Sequence, residues 1–206
     1  DALNKEFEKY DVLLYELVAP ENARIPKGGR KQGGGLINMM QGGMKSLLEL
    51  EHQLEKVDYT KKNFVHADMS PKEFAKSMEE RGESFLQMFL RAMGQSAAMQ
   101  ASGKQPISDA DIILAMFAKD RPLRLKRLLA RQFEDVEGQI DIFQGADGST
   151  IITERNKKCF EVLKKEIAKG HKKIGVFYGA GHLADMEDRL LADFGMKRTG
   201  ERWLVA

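Results

Sequence analysis

Residues 172–195 read KKIGVFYGAGHLADMEDRLLADFG: an apolar run, two glycines around an alanine, then a histidine opening an amphipathic stretch. Ile174 to Tyr178 form a short apolar run bounded by lysines and a glycine, the pattern of a strand buried on both faces. His182 to about Phe194 follows helical spacing. Strand, glycine turn and helix in that order make a βα unit. Ligands in open α/β sheets gather outside the carboxyl ends of the strands, where helix N-termini converge. Gly179, Gly181 and His182 fall on that rim. Glycines permit close approach of the backbone, and a histidine there suits a metal ligand or a general base. The alternative is a turn of glycines with a histidine that merely caps the helix. GAGHLA also fits a dinucleotide fingerprint through Gly179, Gly181 and Ala184, with Glu201 about 20 residues on. That glutamate precedes the final apolar run instead of ending a strand, which counts against the nucleotide reading.

Outward from this unit, the chain alternates helical and strand patterns. A first helix carries Leu3, Phe7 and Tyr10 on one face, and DVLLYELV at residues 11–18 reads as a buried strand broken by one charge, Glu16. Residues 20–35 are basic and glycine-rich, a loop. Helical spacing runs from Leu36 to about Val57. Ser70, Pro71 and Glu73 supply an N-cap, a first-turn proline and a capping-box glutamate, so a helix starts at Ser70, with a break near Gly82 before it runs on to about Gln100. Further helices are expected from Ser108 or Asp109 to Lys119 and from Pro122 onward. The expectation is one domain over residues 1–206, with an all-helical insertion over 36–135 between two halves of a sheet. GSTII at 148–152 reads as a short strand or turn, Thr153 to about Lys169 as a helix, and RWLVA at 202–206 as a last strand. The class is α/β with a mixed, mainly parallel sheet flanked by helices.

Composition narrows the function classes. Lys and Arg total 33 against 31 Asp and Glu, so nothing global argues for nucleic acid as a partner. The basic helix with Arg121, Arg124, Lys126, Arg127 and Arg131 has no interleaved aromatics, which counts against the same partner. No apolar run is long enough to cross a membrane. The single cysteine, Cys159, leaves neither a disulfide framework nor a thiolate metal cluster. Methionine-rich stretches around Met39 to Met44 and over 85–99 read as helical core, or as a partner surface through which a homodimer forms.

Three further places carry candidate chemistry. Glu16 inside an apolar run needs a partner, a metal or water at the strand's end, unless it faces solvent from an edge strand. In TERNKKCF, Glu154 suits the positive end of its helix, whereas Arg155 opposes it by about 0.3–1 kcal/mol and is therefore a candidate holder of an anion or carboxylate. Asn156 opens the inner stripe continued by Phe160, Leu163 and Ile167. The plain alternative is an exposed first turn with Glu154 paired to Lys158. His66 and Asp68 are candidate ligands that directly precede a capped helix, where Asp68 equally serves the turn. His52 and His171 sit in polar surroundings.

YDVLLYELV, QLEKVDYTKKNFVHADMSPKEF, ITERN and VFYGAGHLADMEDRL followed by RTGERWL together resemble, in order, the TraB/GumN branch of the Tiki superfamily, which includes erythromycin-esterase and ChaN-like proteins. The resemblance covers nearly the whole chain. It implies an α/β fold with paired repeats and two Gly-x-x-His motifs, and a hydrolase of peptide or ester bonds, metal-dependent in the Tiki proteins. On that basis Glu16 would be a ligand or water activator and His182 a ligand or base. Arg155 would stabilise an oxyanion, with Glu154 and Asn156 orienting these groups. The implied cofactor is a divalent metal (Mn, Co or Zn) on His182 and Glu16, and the implied location is exported or in the cell envelope. The second Gly-x-x-His is Gly179 to His182; the first has no counterpart, so the expectation is either that its strand lies upstream of Asp1 or that the protein lacks half of the site. The competing expectation is a non-catalytic module holding haem, a peptide or an anionic ligand on the same rim.

Overall fold

The computed structural model describes residues 2–20, 23, 25–26, 53–84, 87, 109–134 and 148–203, with the side chains of 109, 129 and 131–134 excepted. Helix α1 (Ala2–Phe7) leads into strand β1 (Val12–Tyr15). Short α2 (Gln53–Lys56), β2 (Phe64–His66) and α3 (Pro71–Glu80) follow, then α4 (Asp109–Met116) and α5 (Arg121–Glu134). A π-helical turn (Thr150–Glu154) runs directly into α6 (Arg155–Ala168). Strand β3 (Ile174–Phe177), a 3₁₀ turn (Ala180–His182) and α7 (Leu183–Phe194) complete the described elements.

The three strands form a sheet in the order β2-β1-β3, and both pairings are parallel. β1 is central and buried along its whole length, as its uninterrupted apolar run requires. Val12 and Leu14 point to one face, where Cys159, Phe160, Leu163 and Met186 from α6 and α7 close the core. Leu13 and Tyr15 point to the other, where Phe7, Tyr59, Phe64 and Phe177 pack ring against ring. Leu13 also lies over Gly175, where an added Cβ would come within 2.6 Å of its methyl.

The coarse α/β expectation holds, and among the described residues no antiparallel pairing appears. The helical insertion over 36–135 needs correction, because Phe64–His66 within it is a strand of the sheet. The chain divides into two compact units, one of residues 1–28, 57–84 and 143–206 and the other of 29–56 and 85–142, so the second unit is built from two pieces of the chain. Three apolar residues, Phe64, Val65 and the Ala67 that follows His66, are too short a run to announce a strand; pairing with β1 makes it one.

Other boundaries also shift. Of the two readings of GSTII, strand or turn, the turn is the one found: Ser149 caps a π turn by accepting from the Ile152 amide at 3.2 Å. Thr153 therefore lies inside that turn instead of capping α6. The capping box at Ser70 is as expected, with Glu73 N–H donating to Ser70 Oγ at 3.2 Å and Ser70 N–H to Glu73 Oε2 at 2.7 Å. Arg202 and Trp203 are not in a strand, and 204–206 lie outside the described residues. The same is true of the glycine-rich loop over 27–35, of His52 and of the methionine-rich stretches, Gln87 apart. No helix among the described residues is long and apolar enough to cross a membrane.

Candidate functional site

All three strands end at one place. Glu16 is the first residue beyond β1, Asp68 the second beyond β2, and Gly179 the second beyond β3, with His182 closing the 3₁₀ turn that follows. The first turn of α6 supplies Arg155 and Asn156 to the same rim. Parallel strands make this convergence automatic, since their carboxyl ends all face the same edge.

Arg155 sits at the centre. Its Nε donates to Asp68 Oδ1 at 2.9 Å and its Nη2 to Asp68 Oδ2 at 2.6 Å, a bidentate fork. Nη2 also donates to Glu16 Oε1 at 2.6 Å. The second oxygen of Glu16 accepts the Gly179 amide at 2.7 Å. Gly179 permits that approach, because a Cβ there would lie only 3.3 Å from Glu16 Oε2. Burial disfavours the cationic form of Arg155, but its two carboxylate partners more than compensate and hold it charged. For Glu16 burial likewise raises the carboxyl, yet the nearby His182 ring, the hydrogen bond from the Gly179 amide and the Arg155 charge outweigh it, lowering the pKa to about 2.

His182 is buried beside this pair. Its Nε2 lies 3.5 Å from Glu16 Oε1, beyond the range of a good direct hydrogen bond. Its Nδ1 is 2.6 Å from Asn156 Oδ1. Asn156, fully buried, donates through Nδ2 to the His182 carbonyl at 3.1 Å and to Asp185 Oδ2 at 2.7 Å. Asp185 in turn takes a bidentate contact from Arg189 at 2.8 and 3.0 Å. Arg189, Asp185, Asn156, His182, Glu16, Arg155 and Asp68 thus form one polar chain. Its three carboxylates face two guanidiniums. Glu16 and exposed Gly179 mark where solvent reaches it.

Five of the residues named from sequence meet here: Glu16, Asp68, Arg155, Asn156 and His182, with Gly179 as the amide donor. Asp68 serves both of its expected roles, since Oδ1 also accepts the Met69 amide at 2.7 Å. The others stand apart. Glu154 pairs with Lys157 at 2.8 Å and Arg81 at 3.5 Å, while Lys158 goes to Glu73 at 2.7 Å. His66 turns to the Leu17 carbonyl at 2.6 Å and braces the segment after β1. Gly181 lies near Ile152, with room for a Cβ at 3.8 Å. Asp185 and its partner Arg189 are the members that sequence reading missed; an acidic residue three positions after His182, in the first helical turn, and an arginine four positions further on were their only signals.

The implied metal on His182 and Glu16 does not fit this donor set. Both Glu16 oxygens are engaged, one by a guanidinium, and His182 offers a single remaining nitrogen. Among the described residues no group of three or more His, Cys, Asp or Glu is placed to hold an ion. A buried arginine occupies the position beside two carboxylates that a cation would need. The same commitment limits Arg155 as an oxyanion donor: only Nη1 remains, 3.4 Å from the Ile151 carbonyl. Its geometry makes it the holder of Glu16 and Asp68. In comparisons with known proteins, no family model, no curated protein and no solved structure matches this chain.

Proposed function

We propose that the chain is a hydrolase of ester or peptide bonds in which His182 acts as a general base without a metal ion. The observation that carries this reading is His182 itself, anchored at Nδ1 by Asn156 and turning Nε2 toward the ionised Glu16 on a solvent-reached rim. The resemblance to TraB/GumN proteins and erythromycin esterases supports the same reaction class. Nε2 takes a proton from water as the water oxygen bonds to the substrate carbonyl carbon. The proton then passes from Nε2 to the leaving alkoxide or amine as the old bond breaks. Glu16 faces the transient imidazolium and stabilises it, and Arg155 and the Gly179 amide keep that carboxylate ionised and in place.

The test is turnover by the full chain on a panel of aryl esters, lactones and short peptides, with chelator present. Hydrolysis above background is expected, and His182→Gln is expected to lower kcat/KM by about 10²–10⁴. Background rates across the panel, or activity indifferent to His182→Gln, would end the proposal.

A further inference from the structure

Asp185 lies in the first turn of α7, and its side-chain hydrogen bonds go to Asn156 and Arg189, not to Glu16 or the His182 ring. Its Oδ2 accepts from Asn156 Nδ2 at 2.7 Å and from Arg189 Nε at 2.8 Å, and its Oδ1 accepts from Arg189 Nη2 at 3.0 Å. The second acceptor of Asn156 Nδ2 is the His182 carbonyl at 3.1 Å. A carboxylate and a peptide carbonyl accept and do not donate. Burial works against the charged form of Asp185, but its hydrogen bonds to Arg189 and Asn156 prevail and its carboxyl is lowered. Two acceptors facing one end of a primary amide leave that amide a single orientation. Turned over, Asn156 would set its own oxygen against both.

With its nitrogen fixed on those acceptors, Asn156 presents Oδ1 to His182 Nδ1 at 2.6 Å. An amide oxygen only accepts, so Nδ1 must carry the hydrogen. The lone pair of the neutral ring is then on Nε2, facing Glu16 Oε1. This is the less common tautomer of a free imidazole, and it is the one a base acting at Nε2 requires. We propose that Asp185, held by Arg189, is a positioning residue that sets the tautomer of His182 through Asn156. The inference rests on the reading of His182 as a base and names what prepares it.

Two-bond proton–nitrogen correlation spectra of the ¹⁵N-histidine-labelled full chain test it, recorded well above the ordinary imidazole pKa of about 6.5. His182 is told apart from the other three histidines by the signal lost in His182→Gln. His182 is expected in the Nδ1–H form, with Asp185→Ala shifting its population toward Nε2–H. Asp185→Asn, which retains an oxygen acceptor, is expected to keep Nδ1–H. An Nε2–H ring in the wild type overturns the inference, as does a tautomer unchanged in Asp185→Ala. Should that variant not fold, Asp185→Leu, which also removes the acceptor that faces Asn156 Nδ2, is read in the same way. Hydrolysis is not the readout. The expected tautomer in a chain that turns over no substrate would end the proposed function alone, whereas Nε2–H in an active chain would end this inference and the role of His182 as base while leaving the hydrolytic activity itself standing.

Discussion

At the scale of single residues, the decisive contact is the fork of Arg155 on Asp68. Asp68 is 2 % exposed, so removing the guanidinium leaves a buried carboxylate without its partner. Arg155→Met is expected to cost about 3–5 kcal/mol, measured as a drop in the urea midpoint. A loss below about 1 kcal/mol would place Asp68 in contact with water and contradict the burial. Glu16 gives a pH signature of definite sign. Its folded-state pKa is lowered from 4.5 to about 2, so the stability it contributes is complete above 4.5 and is lost as pH falls toward 2. Glu16→Gln is expected to flatten that part of the stability–pH curve. An unchanged acid limb would mean that Glu16 is not held by Arg155 and Gly179. Sequence alone marked both residues because each broke a local rule, a charge in an apolar run and a cation at a helix N-terminus. What it did not carry was their pairing, since the two lie 139 positions apart.

At the scale of elements, the π turn before α6 aims Arg155 inward. Gly148 enters this turn at φ +77°, and an added Cβ would collide with the Thr153 side chain whose hydroxyl accepts the Ser149 amide at 3.1 Å. Gly148→Ala is therefore expected to lower stability by about 1–3 kcal/mol and to loosen Arg155 from Asp68. Thermal unfolding reads the first effect, and the Arg155 side-chain resonances read the second. A variant as stable as the parent would show that the turn is not under this constraint. The turn also explains the mistaken start of α6. Thr153 matches a cap by residue type, but Ser149 takes the role because the turn closes with a bond from the Glu154 amide to the Ser149 carbonyl at 3.0 Å. Such a wide turn leaves no distinctive pattern in sequence. The capping box at Ser70, by contrast, is a purely local device, and its four residues announced it.

At the scale of the whole molecule, the sheet unit was legible where apolar runs are long and illegible where they are short. β1 and β3 stand out as continuous runs, whereas β2 becomes a strand only through its pairing with β1, a long-range contact that periodicity does not report. The rim followed from topology once β1 and β3 were taken as parallel; Asp185 did not, because its role passes through Asn156. β1 at the centre should be the slowest region to exchange its amides. Leu14, fully buried between the strands and the α6–α7 layer, is expected to cost about 2–5 kcal/mol as Leu14→Ala. A cost under about 1 kcal/mol would mean that the core does not centre on β1.

The central claim is that a guanidinium, and not a metal ion, neutralises the carboxylates of this rim. Calorimetric titration of Mn²⁺, Co²⁺ and Zn²⁺ into the full chain, beside His182→Ala and Glu16→Ala, tests it most directly. The expected result is no binding that depends on either residue. A stoichiometric site abolished by both substitutions would contradict the account.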